Sequence, residues 1–164
     1  MDKKGLLKEL SLFLVRAKKQ GYASGDESKE YHNKDQSKGC FIKEKDWIYH
    51  DFYYGGEPFG GQEIVYYKKG SSFSPFFIML YYGKVLESVK DFKEIYNFLR
   101  KALSLVNEKS PYRGPKNFKE GDFKYKNNVK GKVDDFQGEE MIFKNGKEVY
   151  KTKYTGGLVN IRKE

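Results

Sequence analysis

One short pattern occurs twice and limits what this chain can fold into. Phe59-Gly60-Gly61-Gln62-Glu63-Ile64 and Phe136-Gln137-Gly138-Glu139-Glu140-Met141 both read aromatic, any residue, glycine, any residue, glutamate, apolar. Each looks like a tight turn opening a strand. The matches extend outward in the same order. Leu7-Lys8-Glu9-Leu10 aligns with Phe92-Lys93-Glu94-Ile95, Phe13-Leu14 with Phe98-Leu99, and Ala17 with Ala102. Asp46-Trp47-Ile48-Tyr49 aligns with Asp122-Phe123-Lys124-Tyr125, and Gly55 with Gly131. Together these predict an α+β fold built from a duplicated α-β-β-β unit over residues 6–86 and 91–159. The expected architecture is an antiparallel sheet of about six strands with two helices on one face. Residues 1–164 form a single domain.

Local patterns supply the elements. Leu6, Leu7, Leu10, Phe13, Leu14 and Ala17 recur at helical spacing, and Gly21 reads as a left-handed stop. Asp91 and Glu94 suggest a capping box for a second helix whose stripe is Phe92, Ile95, Phe98, Leu99, Ala102, Leu103 and Val106. Aromatic and β-branched runs at 47–54, 62–68, 76–82, 123–130, 139–144 and 149–155 are bounded by glycine or turn residues. Asn145-Gly146 is a hairpin signal. Residues 23–45 are polar and rich in glycine and serine, and read as one long mobile loop or lid.

With 14 Tyr and 13 Phe, the core must be built largely from aromatic rings, and tyrosine hydroxyls need partners or a pocket. The net charge of +9 comes from lysines spread along almost every segment, so nucleic acid is disfavoured as a partner. A single cysteine, Cys40, excludes an internal disulfide, and His32 and His50 do not build a zinc site with it. No apolar run approaches the ~20 residues of a membrane helix, and the start of the chain does not read as a secretory signal. The expected location is cytoplasmic. No catalytic set, metal site or cofactor motif is present.

Candidate binding residues follow from the repeat and its asymmetry. Strands of the second half alternate apolar residues with lysine, as in a sheet with one wet face. Those of the first half are apolar or aromatic on both faces. Aromatic surface around Trp47, Tyr49, Tyr53, Tyr67 and Tyr81 is therefore expected to exceed what two helices can cover. Glu63 and Glu140, at equivalent places, either pair with a ligand or cap their own turns. Arg113, held between Pro111 and Pro115, is aimed at an anion, a carboxylate or the chain's own carbonyls. The candidate set is Trp47, Tyr49, Glu63, Tyr67, Tyr81, Arg113 and Glu140, suited to a cationic or hydroxyl-rich small molecule.

Several of these strings resemble a bacterial family, domain of unknown function 5680. They are Asp46-Trp47-x-Tyr49-x-Asp51-x-Tyr53-x-Gly55-Gly56, Phe59-x-Gly61-x-Glu63, Tyr81-Tyr82-Gly83, Pro111-Tyr112-Arg113-Gly114-Pro115 and Tyr154-x-Gly156-Gly157. The resemblance implies a sensing or protein-contact role, because such domains are often fused behind helix-turn-helix domains in transcriptional regulators. Here the chain begins directly at the first helix. At fold level only, duplicated units of this kind also resemble circularly shifted effector-binding domains that bind cationic drugs over a buried glutamate. The leading expectation is an effector-binding module. The alternatives are a homodimerisation or regulatory protein-contact module and, less favoured, an enzyme using Glu63 and Glu140.

Overall fold

The computed structural model describes residues 2–26, 29–86 and 89–160. Helix α1 (Lys3–Gln20) leads to a 3-10 turn (Tyr22–Ser24) and strands β1 (Tyr31–His32), β2 (Lys38–Glu44), β3 (Trp47–Gly55), β4 (Phe59–Lys69) and β5 (Ser72–Val85). Helix α2 (Lys93–Ser104) then leads to β6 (Asn117–Glu120), β7 (Phe123–Lys132), β8 (Asp135–Lys144) and β9 (Lys147–Leu158). All strands belong to one antiparallel sheet in the order β1-β2-β3-β4-β5-β9-β8-β7-β6.

Among the described residues the sheet thus has nine strands, not about six. The three unpredicted strands are short and lie toward the edges, where a strand pairs through its backbone and needs few apolar side chains. Residues 23–45, read from sequence as one loop, hold the 3-10 turn, β1 and β2; Glu27 and Ser28 of that stretch lie outside the described residues. The meanders β2–β5 and β6–β9 meet where β5 pairs with β9, and Tyr81 sits directly opposite Tyr154 in that pair.

Strand alternation puts one set of side chains on an inner face covered by both helices. Leu10, Phe13, Leu14 and Ala17 of α1 pack with Trp47, Tyr49, Val65, Phe77 and Met79. Ile95, Phe98, Leu99, Ala102 and Leu103 of α2 pack with Phe123, Tyr125, Ile142 and Tyr150. Asp2 caps α1, accepting from Gly5 N at 2.8 Å. Gly21 ends α1 at φ −83°, not in the left-handed region, and a Cβ there would meet Cys40 Sγ at 2.8 Å. It is glycine because β2 passes close by. At α2, Asp91 accepts from Lys93 N, but Glu94 pairs across to Lys144 instead of closing a capping box.

The aromatic surplus of the first half is on the inner face. Trp47, Tyr49, Tyr53, Tyr67 and Tyr81 share that face with the α1 cluster, and Trp47 is 6% exposed. The large apolar groups left exposed on the outer face are instead Phe41, Tyr54, Leu80 and Tyr82. Composition alone did not separate the faces. Strict period-two alternation from Trp47 does.

Candidate functional site

The repeated motif is not a turn. Phe59, Gly61 and Glu63 are alternate residues of β4, and Phe136, Gly138 and Glu140 are alternate residues of β8, so each trio lies on the inner face. The glycine clears a path for a tyrosine. Tyr81 crosses over Gly61, where a Cβ would stand 2.7 Å from its Oη, and donates to Asp51 Oδ1 at 2.6 Å. Tyr154 crosses over Gly138, where a Cβ would overlap its ring, and donates to Asn127 Oδ1 at 2.6 Å. Asp51 pairs with Glu63 across β3 and β4, as Asn127 pairs with Glu140 across β7 and β8.

Around Glu140 the polar groups close on one another. Arg113 donates to Glu140 Oε1 from Nε at 3.1 Å and from Nη2 at 2.6 Å. Tyr125 donates to Oε2 at 2.5 Å and Tyr150 to Oε1 at 3.0 Å. Tyr125 Oη also accepts from Gly114 N, and Asn127 donates to Gly114 O, so the proline-flanked loop is tied to the sheet. Glu140 is fully buried. Burial works against the Arg113 charge, but the Glu140 carboxylate outweighs it and holds the guanidinium pKa well above its usual value. Burial beside Glu140 drives the Tyr125 and Tyr150 hydroxyls well above the usual tyrosine range. A carboxylate with four donors and no exposure is a structural anchor.

Around Glu63 the arrangement opens. Its Oε2 is held by Lys18 of α1, and both groups are buried. Burial lowers the Lys18 pKa, with Glu63 opposing the shift. Burial, together with the neighbouring Glu63 charge, pushes the Asp51 carboxyl up to about 7. Tyr49 stands where Tyr125 stands in the other half and is 2% exposed, yet its hydroxyl makes no hydrogen bond with any described residue. Lys18 Nζ lies 5.9 Å from the Tyr49 ring centroid.

These groups line a cavity of ≈ 270 Å³ between α1, α2, the 3-10 turn and the sheet. Lys18, Tyr49, Asp51, Glu63, Tyr81 and Arg113 form its polar lining. Phe59, Tyr96, Leu99, Leu103 and Val106 form apolar walls. Tyr22, Ala23 and Lys38 enter from the stretch that follows α1, and Arg100 from α2. Such a chamber, apolar with a few placed polar groups, has the make-up of a small-ligand site.

Four of the seven sequence candidates therefore converge: Tyr49, Glu63, Tyr81 and Arg113 line the cavity. Glu140 lies behind Arg113 and is not part of the lining. Trp47 and Tyr67 stand apart, ring on ring at 4.5 Å in the cluster with Phe13 and Phe76. Neither glutamate caps a turn; each holds a cation from the helical layer or the loop beyond it. Sequence reasoning missed Lys18, Asp51, Lys38 and Arg100. Lys18 carried a signal, because it falls four residues after Leu14 inside the apolar stripe of α1. Asp51 carried another, as a carboxylate in phase with Trp47 and Tyr49. Cys40 is buried, and burial pushes its thiol up to about 12, so it is no nucleophile.

The model of one protein family, the domain of unknown function DUF5680, matches residues 51–159, well over half of the 164-residue chain. The chain belongs to the DUF5680 family. Comparison with curated proteins and with solved structures gave no match. The DUF5680 segment holds Asp51, Glu63, Tyr81, Arg113 and Glu140, whereas Lys18, Lys38 and Tyr49 come from the residues before it. No helix among the described residues is long and apolar enough to cross a membrane.

Proposed function

We propose that the chain is a small-molecule-binding module and that the cavity over Glu63 is its site. One observation carries this reading. At matched positions, the Glu140 cluster is closed by four donors, while in the Glu63 cluster Tyr49, which lines the cavity, has a hydroxyl with no hydrogen-bond partner among the described residues. A hydroxyl without a protein partner in a cavity lining is free to bond a ligand, and a mostly apolar chamber strengthens such a bond. Asp51, Glu63 and Tyr49 offer hydroxyl-rich compounds both acceptors and a donor. A cation would have to compete with Lys18 for Glu63. Within a regulator, occupancy of this cavity would join α1, α2 and the sheet and so report an effector to a partner.

The test is a thermal-shift screen of small polar aromatics, followed by titration of any hit against the wild type, Glu63→Gln and Tyr49→Phe. The expected result is a concentration-dependent rise in midpoint, as mass action requires, that is lost in Glu63→Gln. Hits whose effect is unchanged in both variants would contradict the assignment.

The matched pairs Asp51/Asn127, Glu63/Glu140 and Tyr81/Tyr154 also support descent of the two halves from one duplicated unit, with its axis at the Tyr81–Tyr154 pair. A second functional reading rests on the outer face, where Leu80 and Tyr82 are 47% and 58% exposed on the central strand β5. That patch suits a homodimer or a regulatory protein contact. Sedimentation at several concentrations tests it: a monomer throughout would remove the homodimer.

A further inference from the structure

The charges of the cavity do not cancel. Lys18 is matched by Glu63 and Arg113 by Glu140, so those two pairs contribute no net attraction to a ligand. Two further cations line the same chamber, Lys38 of β2 and Arg100 of α2, and neither has a carboxylate within ion-pair distance among the described residues. The remaining acid in the lining, Asp51, accepts the Tyr81 hydroxyl and offsets at most one of these two cations, so the chamber keeps a net positive charge. Arg100 is held in place, its guanidinium 5.0 Å from the Tyr22 ring centroid. Its Nε is buried and has no hydrogen-bond partner. A guanidinium has five N–H donors, and with no carboxylate taking up any of them an acceptor brought by a ligand can be met by its terminal nitrogens.

Lys38 and Arg100 also lie at a junction. They line a second cavity of ≈ 310 Å³, and Tyr22, Asp51 and Tyr53 are likewise common to both. The second cavity has acids of its own, but these are engaged. Asp26 meets Lys29 at 3.6 Å, and Glu30 holds His32 and the Tyr53 hydroxyl. The shared wall therefore presents two cations, one side apolar and the other polar.

We infer that the cavity takes an amphipathic anion, with an apolar body among Phe59, Leu99 and Leu103 and its acidic group held by Lys38 and Arg100. The inference rests on the cavity being a ligand site and goes further by fixing the ligand's charge. Arginine favours carboxylates because its planar fork donates two parallel bonds to two oxygens. A small aromatic or branched aliphatic carboxylate meets both requirements. This reverses the cationic preference expected from Glu63 alone, because Lys18 occupies that carboxylate.

Three probes that share a benzyl body and differ in charge separate the possibilities: phenylacetate, phenylacetamide and phenethylamine, titrated into ¹⁵N-labelled protein and followed by amide shifts. Phenylacetate should bind about tenfold more tightly than phenylacetamide, and phenethylamine more weakly than either. In the K38Q/R100Q double variant the acid's advantage should fall below about twofold, with the amide's affinity unchanged. The single variant K38Q, at a half-buried position at the start of β2, should remove part of the advantage and serves if the double variant folds poorly. An amine that binds as tightly as the acid would overturn the inference, as would an advantage that survives both substitutions. Equal binding of acid and amide at the cavity would overturn it while leaving the ligand-site reading in place. Absence of saturable binding by all three would overturn both.

Discussion

The two meanders put a glutamate at the same place and treat it in opposite ways. Glu140 is enclosed by Arg113, Tyr125 and Tyr150. Glu63 has Lys18 on one side and a cavity on the other. Part of the difference is one tyrosine: Tyr125 donates to its glutamate, while Tyr49 donates to no described residue. Another part is one atom type, since Asn127 cannot ionise and Asp51 can. A repeated motif therefore does not imply a repeated role. The half whose hydrogen bonds are complete serves stability, and the half whose bonds are incomplete has capacity left for a ligand.

The largest expected effect breaks this contrast at its centre. Glu140→Gln strands Arg113, which cannot shed its proton, and should cost about 3–5 kcal/mol in denaturant unfolding. Glu63→Gln leaves Lys18, whose lowered pKa lets it deprotonate, and should cost about 1–2 kcal/mol. Equal losses would mean that the Glu63 site is as closed as its counterpart.

Asp51→Asn copies the second half into the first and should stabilise the protein in a pH-dependent way. The Asp51 pKa is raised by burial from 3.8 to about 7. Between those values the folded state keeps a proton that the unfolded state has lost, so wild-type stability falls as pH rises through the window. The variant lacks this loss. Its advantage should grow from pH 4 to pH 7.5 and reach roughly 2–4 kcal/mol, read from melting midpoints across pH. A pH-independent difference would place Asp51 in an ordinary solvated setting.

Gly61→Ala and Gly138→Ala push a methyl group into the path of Tyr81 and Tyr154, and each should cost about 1–3 kcal/mol. Gly61 also faces Phe52 O, a backbone atom that cannot swing away. The smallest effects form the sharpest pair. Tyr125→Phe removes two hydrogen bonds and should cost about 1–3 kcal/mol, whereas Tyr49→Phe removes none and should stay within about 0.5 kcal/mol.

Much of the frame was legible in the chain. The six long strands and both helices announce themselves through period-two and 3.6-residue patterns of large apolar groups ending at glycine or proline. The short strands do not. Lys38–Glu44 has only Cys40, Phe41 and Ile42 to mark it among polar residues, and Asn117–Glu120 has only Phe118. The candidate site was half legible. Glu63, Tyr49, Tyr81 and Arg113 could be picked out because a repeat and a proline-bounded arginine are local signals. Lys38 and Arg100 could not, because each looks like any solvated lysine or arginine on its own element. Their significance comes from a cavity assembled by residues far apart in sequence. Trp47 was drawn in by its size and turned out to pack under α1.

The most direct test of the account is where small molecules touch the protein. A fragment library screened by amide shift perturbation would map contacts over both halves at once. The account predicts perturbations clustered on Lys18, Tyr49, Asp51, Glu63, Leu99 and Arg100, with Tyr125, Asn127, Glu140 and Tyr150 unmoved. Fragments that gather on the outer face at Leu80 and Tyr82, or equally around both glutamates, would contradict it.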